Sequence, residues 1–171
     1  IIALARSGEK SCIQTFFIRG GSNYGNRSYF LSHNADSNAA DVLTAFLGQF
    51  YDDKDPPAEI LLSDEPGDKE LIAEALSSRA GRNIKISRPQ RGDRTKLTAM
   101  ARHNAEEALA RHLADTGSQR RLLSELADLF GLDAPPDRVE VYDNSHIQGR
   151  HAVGGMIVAG PEGFNRGASR K

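Results

Sequence analysis

Two short apolar stretches near the end of the sequence constrain the fold most strongly. Valines alternate with polar residues over 139–142, which is the two-residue period of a half-buried strand. A second apolar run, 153–159, follows after a short polar link, and the pair is predicted to form a β-hairpin. Asp143 comes directly after the first stretch, so we expect that strand to end on a carboxylate with a polar turn behind it.

A carboxylate at the end of a central strand is a hard oxygen ligand on a rigid support. Such a ligand suits Mg²⁺ or Mn²⁺, and a divalent site that hydrolyses phosphodiesters needs this kind of placement. An aspartate after a strand is also a common turn former or helix cap. The spacing of Asp143 alone leaves both roles open, and the residues around it favour the metal ligand.

Those surrounding residues carry a resemblance to a known family. The strings YDNSHIQG at 142–149, AVGGMIV at 152–158 and GPEGF at 160–164 resemble the C-terminal half of the UvrC subunit of the bacterial UvrABC excinuclease. Five further strings resemble the family's segment before its nuclease domain, and they stand in the family's order at 15–21, 26–30, 46–51, 59–63 and 89–93. The resemblance therefore covers essentially all 171 residues.

The resemblance implies an α/β fold whose mixed sheets and helices end in the first strands of a truncated ribonuclease-H-like nuclease domain. Residues 1–118 would form an α/β region before the nuclease core, and residues 119–171 would start the nuclease domain. The function implied is nucleotide excision repair, with metal-dependent incision of damaged DNA on the 5′ side of the lesion. The cofactor implied is Mg²⁺ or Mn²⁺ in the full-length parent.

The same resemblance assigns roles to four residues. Asp143 would be the catalytic and metal-binding residue, and Asn144, Ser145 and His146 would lie near the site. His146 has two open roles, because it would suit a phosphate contact as well as a turn residue that bonds the backbone.

The partners implied are damaged DNA and the UvrB protein, the latter through a segment that this sequence lacks. The family's remaining catalytic residues lie beyond Lys171, so we expect the isolated chain to be inactive. We also expect the run 153–159 to present an unpaired apolar edge. The alternative is a non-catalytic DNA- or protein-binding module.

Basic residues are concentrated between positions 82 and 102, although the net charge of the chain is only −1. Alternation of Lys85 with Ile84 and Ile86 predicts a strand that buries the isoleucines and exposes the lysine. Cations on a strand, a turn and a helix start suit a phosphate backbone, and the alternative is a solvated surface without a partner. This basic stretch contains one acid, Asp93, and seven cations: Arg82, Lys85, Arg88, Arg91, Arg94, Lys96 and Arg102.

Other elements follow from apolar periodicity and from glycine and proline positions. A hairpin is predicted over 11–31 around Gly20-Gly21, and a helix after Asn38 with Asp41 in a capping box. A second helix near Asp68 is predicted to bury Leu71, Ile72, Ala75 and Leu76 between strands 59–62 and 84–87. A long helix is predicted over 95–130, broken or bent at Gly117, with an apolar face in its second part at Leu122, Leu123, Leu126, Leu129 and Phe130.

The cellular compartment is predicted from what the sequence lacks. No apolar run approaches the roughly 18 residues of a membrane span. No charged-then-apolar start indicates a signal peptide, and no Cys/His spacing indicates zinc. The single cysteine, Cys12, lies in an apolar run and is expected to be a buried, reduced thiol. We therefore expect a cytoplasmic protein.

Overall fold

The computed structural model describes residues 1–147 and 150–170, with side chains except at 145–147 and 150–152. The chain divides into two compact units, Ile1–Ala110 and Arg111–Lys171. The predicted mixture of helices and several sheets is confirmed. In chain order, the elements are β1 (Ile2–Ser7), β2 (Lys10–Arg19), β3 (Ser22–Ser32), α1 (Ala39–Phe50), β4 (Glu59–Leu61), α2 (Lys69–Ala80), β5 (Lys85–Ser87), α3 (Asp93–Phe130), β6 (Val139–Ile147), β7 (Arg150–Gly160) and β8 (Gly163–Phe164).

The strands of the first unit form a three-stranded sheet in the order β1-β2-β3 and a two-stranded sheet of β4 and β5. β1, β2 and β3 pair antiparallel, whereas β4 and β5 pair parallel. The two groups join where Ile2 bridges Leu62 in parallel and the Ser63 amide donates to the Ile2 carbonyl at 3.1 Å. The predicted hairpin is confirmed, and so are the two strands predicted on either side of the second helix. β1 was missed, because a short apolar run without turn residues before it gives no clear strand signal.

Helix α1 packs against the strands of the first unit with the apolar face that the sequence predicts. Val42, Leu43, Phe46, Leu47 and Phe50 are all buried and belong to one core cluster with the strands. The predicted capping box is present, since the Asn38 side chain accepts from the Asp41 amide and the Asp41 side chain accepts from the Asn38 amide. Cys12 is buried as expected, and burial raises the pKa of its thiol.

Helix α2 buries a narrower face than predicted. Leu76 is buried and Ile72 is half-buried, but Leu71 is 64% exposed and Ala75 is also exposed. The stripe that packs is therefore the Ile72–Leu76 row, which follows the i, i+4 spacing along one side of the helix. Gly81 ends the helix with a φ of 64°, the left-handed conformation that glycine adopts without strain.

Helix α3 runs from Asp93 to Phe130, so a break at Gly117 is wrong, whereas the predicted alternative of a bend there stays a prediction. An interior glycine costs about 1 kcal/mol, which the backbone ladder of a long packed helix can outweigh. The predicted second apolar face is also wrong in part. Leu123 is buried, whereas Leu129 and Phe130 are exposed.

In the second unit, β6 and β7 form the predicted antiparallel hairpin, in register from Val139 opposite Ala159 to Ser145 opposite Val153. The other edge of β7 is partly paired, which corrects the expectation of an open edge. β8 pairs with the end of β7, and Met156 and Arg170 exchange backbone hydrogen bonds of 2.8 and 2.9 Å. The residues after 160 therefore turn back and cover part of that edge.

Candidate metal ligand and nucleic-acid interface

Asp143 lies inside β6 rather than at its end, contrary to the prediction. It pairs with Gly155, and the strand continues to Ile147. The ladder to β7 continues through the polar residues because backbone pairing does not depend on side-chain polarity. β6 is also an edge strand, where polar side chains meet solvent. The Asp143 side chain is exposed.

The face of the sheet that carries Asp143 is open and largely apolar. Val141 and its cross-strand partner Ile157 lie on the same face, and they are 58% and 50% exposed. Gly155, directly opposite Asp143, has no side chain that would cover the carboxylate. A ligand therefore has access to the Asp143 carboxylate from this side.

Asn144 lies on the opposite face, because successive side chains of a strand alternate. Its partner across the ladder is Gly154, and a Cβ atom built on Gly154 would lie 2.9 Å from the Asn144 Oδ1. A glycine at position 154 therefore leaves room for the Asn144 amide. The predicted near-site set is divided by this alternation, and the side chains of Ser145 and His146 lie outside the described residues.

A second acid on β6, Glu140, is bonded within the protein. The Tyr142 hydroxyl and the Arg138 guanidinium both donate to its carboxylate. These two interactions, the tyrosine first, hold the pKa of Glu140 below its usual value. The same hydrogen bond raises the pKa of Tyr142. Glu140 has protein partners and lies on the Asn144 face, so it does not stand beside Asp143 as a second ligand.

The described residues contain no group of three His, Cys, Asp or Glu side chains placed to hold a metal ion. Mg²⁺ is octahedral and is anchored by carboxylates alongside its waters. Asp143 therefore fits one position of such a site, and the described residues do not complete it.

The basic stretch divides into cations with and without acidic partners. Ile84 and Ile86 are buried on either side of exposed Lys85, as predicted. Arg88 and Arg91 are exposed, and among the described contacts neither has a carboxylate partner. These three cations are therefore the most available to an external phosphate.

Two cations of the basic stretch at the start of α3 form ion pairs. Arg94 Nη1 lies 2.6 Å from Glu59 Oε1, and Lys96 Nζ lies 2.9 Å from Asp93 Oδ1. Exposed pairs of this kind contribute about 0–1 kcal/mol to stability, so a phosphate could compete for either cation. The local positive potential at these two positions is nevertheless reduced.

Arg102 has a structural role that the sequence did not reveal. Its guanidinium pairs with Asp64 and donates to the Ser63 carbonyl at 3.3 Å. The Ser63 hydroxyl in turn donates to Asp64 at 2.7 Å and accepts from the Leu4 amide at 2.9 Å. This network ties α3 to the residues after β4 and to β1. The signal that could have indicated it is the Ser-Asp pair directly after the predicted strand 59–62.

A groove in the first unit was also missed. It has a volume of about 860 Å³ and lies beside the starts of β4 and β5. Its lining includes residues of β2, the segment after α1, the segments before β4 and β5, and the start of α3. Because these segments are far apart in the sequence, no local sequence pattern could predict the groove. Four cations line this β4 groove: Arg19, Lys54, Arg82 and Arg94.

Two models of the same protein family match this chain, one in each part of the sequence. Residues 1–112 match the family model described as the UvrC ribonuclease H-like domain. Residues 127–171 match the model described as the UvrC RNAse H endonuclease domain. The sequence predicted a ribonuclease-H-like region only in residues 119–171. The match of residues 1–112 to a ribonuclease H-like family model was therefore not predicted.

Curated relatives match over the whole chain. The UvrABC system protein C of Paramagnetospirillum magneticum is 54% identical over 171 residues, which cover 100% of this chain and 27% of that protein. The proteins of the same name from Mesorhizobium japonicum and Brucella abortus are 55% and 54% identical, with 25% and 28% of their lengths covered. The chain thus spans about a quarter of the relatives' length. No solved structure matches the chain. Within the described ranges, no helix is long and apolar enough to cross a membrane.

Proposed function

This chain belongs to the UvrC family, and on that premise we propose that it is part of the subunit that incises damaged DNA in nucleotide excision repair. The reaction proposed is 5′ incision by metal-dependent hydrolysis of a phosphodiester. Damaged DNA would be the substrate, the UvrB protein a partner of the full-length protein, and the cytoplasm its location. The division into residues 1–118 and 119–171 stays a prediction.

The observation that carries this proposal is the placement of Asp143 on β6. The residue lies in the segment that matches the endonuclease-domain model, on an exposed face beside a glycine. A carboxylate on a paired strand is held in position by the backbone ladder, which is the support that a metal ligand needs. The other acid of β6, Glu140, lies on the opposite face of the strand, where it is bonded to Arg138 and Tyr142.

In the proposed reaction, Asp143 supplies one oxygen ligand to Mg²⁺ or Mn²⁺. Such an ion stabilises negative charge on the attacking or leaving oxygen of the phosphodiester. The role of Asp143 is to hold its carboxylate in one orientation on β6. Asn144, which lies on the other face, would support the position of the strand rather than bind the same ion.

The test is the substitution Asp143→Asn in the full-length protein. It keeps the size of the side chain and removes its charge, so we expect a loss of 5′ incision of at least 100-fold, with DNA binding within two-fold of the wild type. Incision would be followed on an end-labelled duplex with one lesion, in Mg²⁺ and in Mn²⁺.

The matched control is Asp137→Asn, which removes the same charge from an exposed residue just before β6. This variant should incise like the wild type. Normal 5′ incision by Asp143→Asn, or an equal loss in both variants, would contradict the assignment of Asp143.

A further inference from the structure

The β4 groove combines an apolar floor with an excess of positive charge. Buried side chains of the sheet, among them Ile2, Phe16 and Leu61, form part of its lining. Its volume of about 860 Å³ lies in the range of roughly 300–1,000 Å³ that is typical of ligand sites. Four cations line it against two acids, Asp55 and Glu59.

Two of the four cations have only neutral partners among the described contacts. The Arg82 guanidinium donates to the Pro56 backbone carbonyl. The Arg19 guanidinium lies over the Tyr24 ring, 5.8 Å from its centroid. A carbonyl and a ring satisfy hydrogen bonding or packing but leave the positive charge in place. An anion that entered the groove would therefore meet uncompensated charge.

The other two cations are paired at the surface. Lys54 Nζ pairs with Asp53 and lies 5.0 Å from the centroid of the Phe50 ring. Arg94 pairs with Glu59 within the lining itself. Both pairs are exposed enough for an incoming phosphate to displace the carboxylate at low cost.

Apolar side chains at the end of β2 point to the kind of anion. Phe17 and Ile18 line the groove and remain 42% and 38% exposed, directly before Arg19. Single-stranded nucleic acid is bound by cations that follow its backbone and by aromatic rings on which its bases stack. In a duplex the bases stack on one another, so a duplex would offer the groove its phosphates but no free base to stack on the Phe17 ring.

We propose that the β4 groove binds an unpaired DNA strand, with phosphates at Arg19, Lys54 and Arg82 and a base against Phe17. The proposal rests on the proposed function, because it names the form of DNA that the first unit would contact beside a nuclease. It goes beyond the basic stretch, which contributes Arg82 to the groove, because Phe17, Arg19 and Lys54 lie far from that stretch in sequence.

The test is binding of a fluorescent oligothymidylate to the 171-residue chain, followed by anisotropy at several salt concentrations. The variant Phe17→Ala/Arg19→Gln should bind the single strand at least ten-fold more weakly. The lost stacking alone should account for about five-fold or more. Removal of one phosphate contact should also flatten the salt dependence by about 0.7 in slope. Binding to a duplex of the same length should change less than two-fold.

The matched control is Phe30→Ala/Arg27→Gln. Phe30 is 43% exposed and Arg27 lies over the Tyr29 ring at 5.2 Å, so this pair on β3 reproduces the chemistry of the first pair outside the groove. Circular dichroism would show that both variants are folded. The control should bind oligothymidylate like the wild type.

Wild-type affinity in the groove variant, or an equal loss in the control, would overturn the proposal. A glutamate-rich peptide that binds the groove more tightly than oligothymidylate would also overturn it, in favour of an acidic protein partner. The proposed function would fail separately, through normal incision by Asp143→Asn, because that variant leaves every residue of the groove unchanged.

Discussion

At the scale of single residues, the register of the β6–β7 ladder determines which side chains lie on the same face of the sheet as Asp143. Asp143 was predicted as a metal ligand from its sequence context, and that role stays a prediction, although the side chain is exposed. The predicted turn beside it is wrong, because Asp143 and Asn144 pair with Gly155 and Gly154 on a strand that lies further along the sequence. Local patterns identify a strand, but its last paired residue is set by the register of its neighbour.

Three glycines on β7 offer a quantitative test of that register. A Cβ atom on Gly160 would lie 2.7 Å from the backbone carbonyl oxygen of Asp137. A Cβ atom on Gly155 would lie 3.8 Å from the backbone carbonyl oxygen of Asp143. We predict that Gly160→Ala lowers the free energy of unfolding by about 1–3 kcal/mol, because a backbone carbonyl must move. Gly155→Ala should be neutral or slightly stabilising, since the contact is ordinary and alanine restricts the unfolded chain.

Urea unfolding of the 171-residue chain measures both effects. Gly154→Ala should fall between them, because the Asn144 side chain that it meets can rotate away. The additional change Asn144→Ala should remove most of its cost. Equal stabilities for the Gly155 and Gly160 variants would show that β7 does not have the register described.

At the scale of elements, the sequence predicted the helices and strands whose apolar faces are wide. α1 was predicted in full because five buried side chains and a capping box agree. The face of α2 was overestimated because an apolar residue such as Leu71 satisfies helical spacing whether or not a neighbour covers it. The break predicted at Gly117 was wrong for a related reason, since intrinsic helix propensity is a weak term beside tertiary packing.

The turn between β5 and α3 carries a prediction at the scale of elements. Arg88 and Arg91 are exposed and lack an acidic partner among the described contacts, so we expect them to bind phosphates directly. The double variant Arg88→Gln/Arg91→Gln should weaken binding to unrelated duplexes equally, because phosphate contacts carry no sequence information. The slope of log affinity against log salt should fall by about 1.8 for two lost contacts to duplex DNA.

The control for that variant removes the same charge from cations that already have partners. Lys69 pairs with Glu65, and Arg121 lies 3.7 Å from Glu125. Lys69→Gln/Arg121→Gln should therefore leave the salt slope nearly unchanged. A slope that changes equally in both double variants would indicate an effect of net charge alone and would exclude a contact surface at Arg88 and Arg91.

At the scale of the whole molecule, the sequence motifs identified the family, and the assembled features emerged only from the structure. The Arg102–Asp64 network joins residues 38 positions apart, and the β4 groove draws its cations from four separate segments. Both depend on how the two sheets of the first unit join, which they do at a parallel bridge between Ile2 and Leu62. Periodicity and turn residues predict elements, but they do not predict which elements become neighbours.

The last prediction concerns what the 171-residue chain can do by itself. We expect it to bind DNA through the first unit but not to cleave it, because the described residues bring no second and third ligand to Asp143. Incubation of the purified chain with end-labelled damaged duplex and Mg²⁺ or Mn²⁺ should leave the substrate intact. The exposed side chains of Val141, Ile157 and Phe164 should also promote self-association, which sedimentation at increasing concentration would detect. Metal-dependent cleavage that disappears in Asp143→Asn would instead show that a complete metal site exists within these 171 residues.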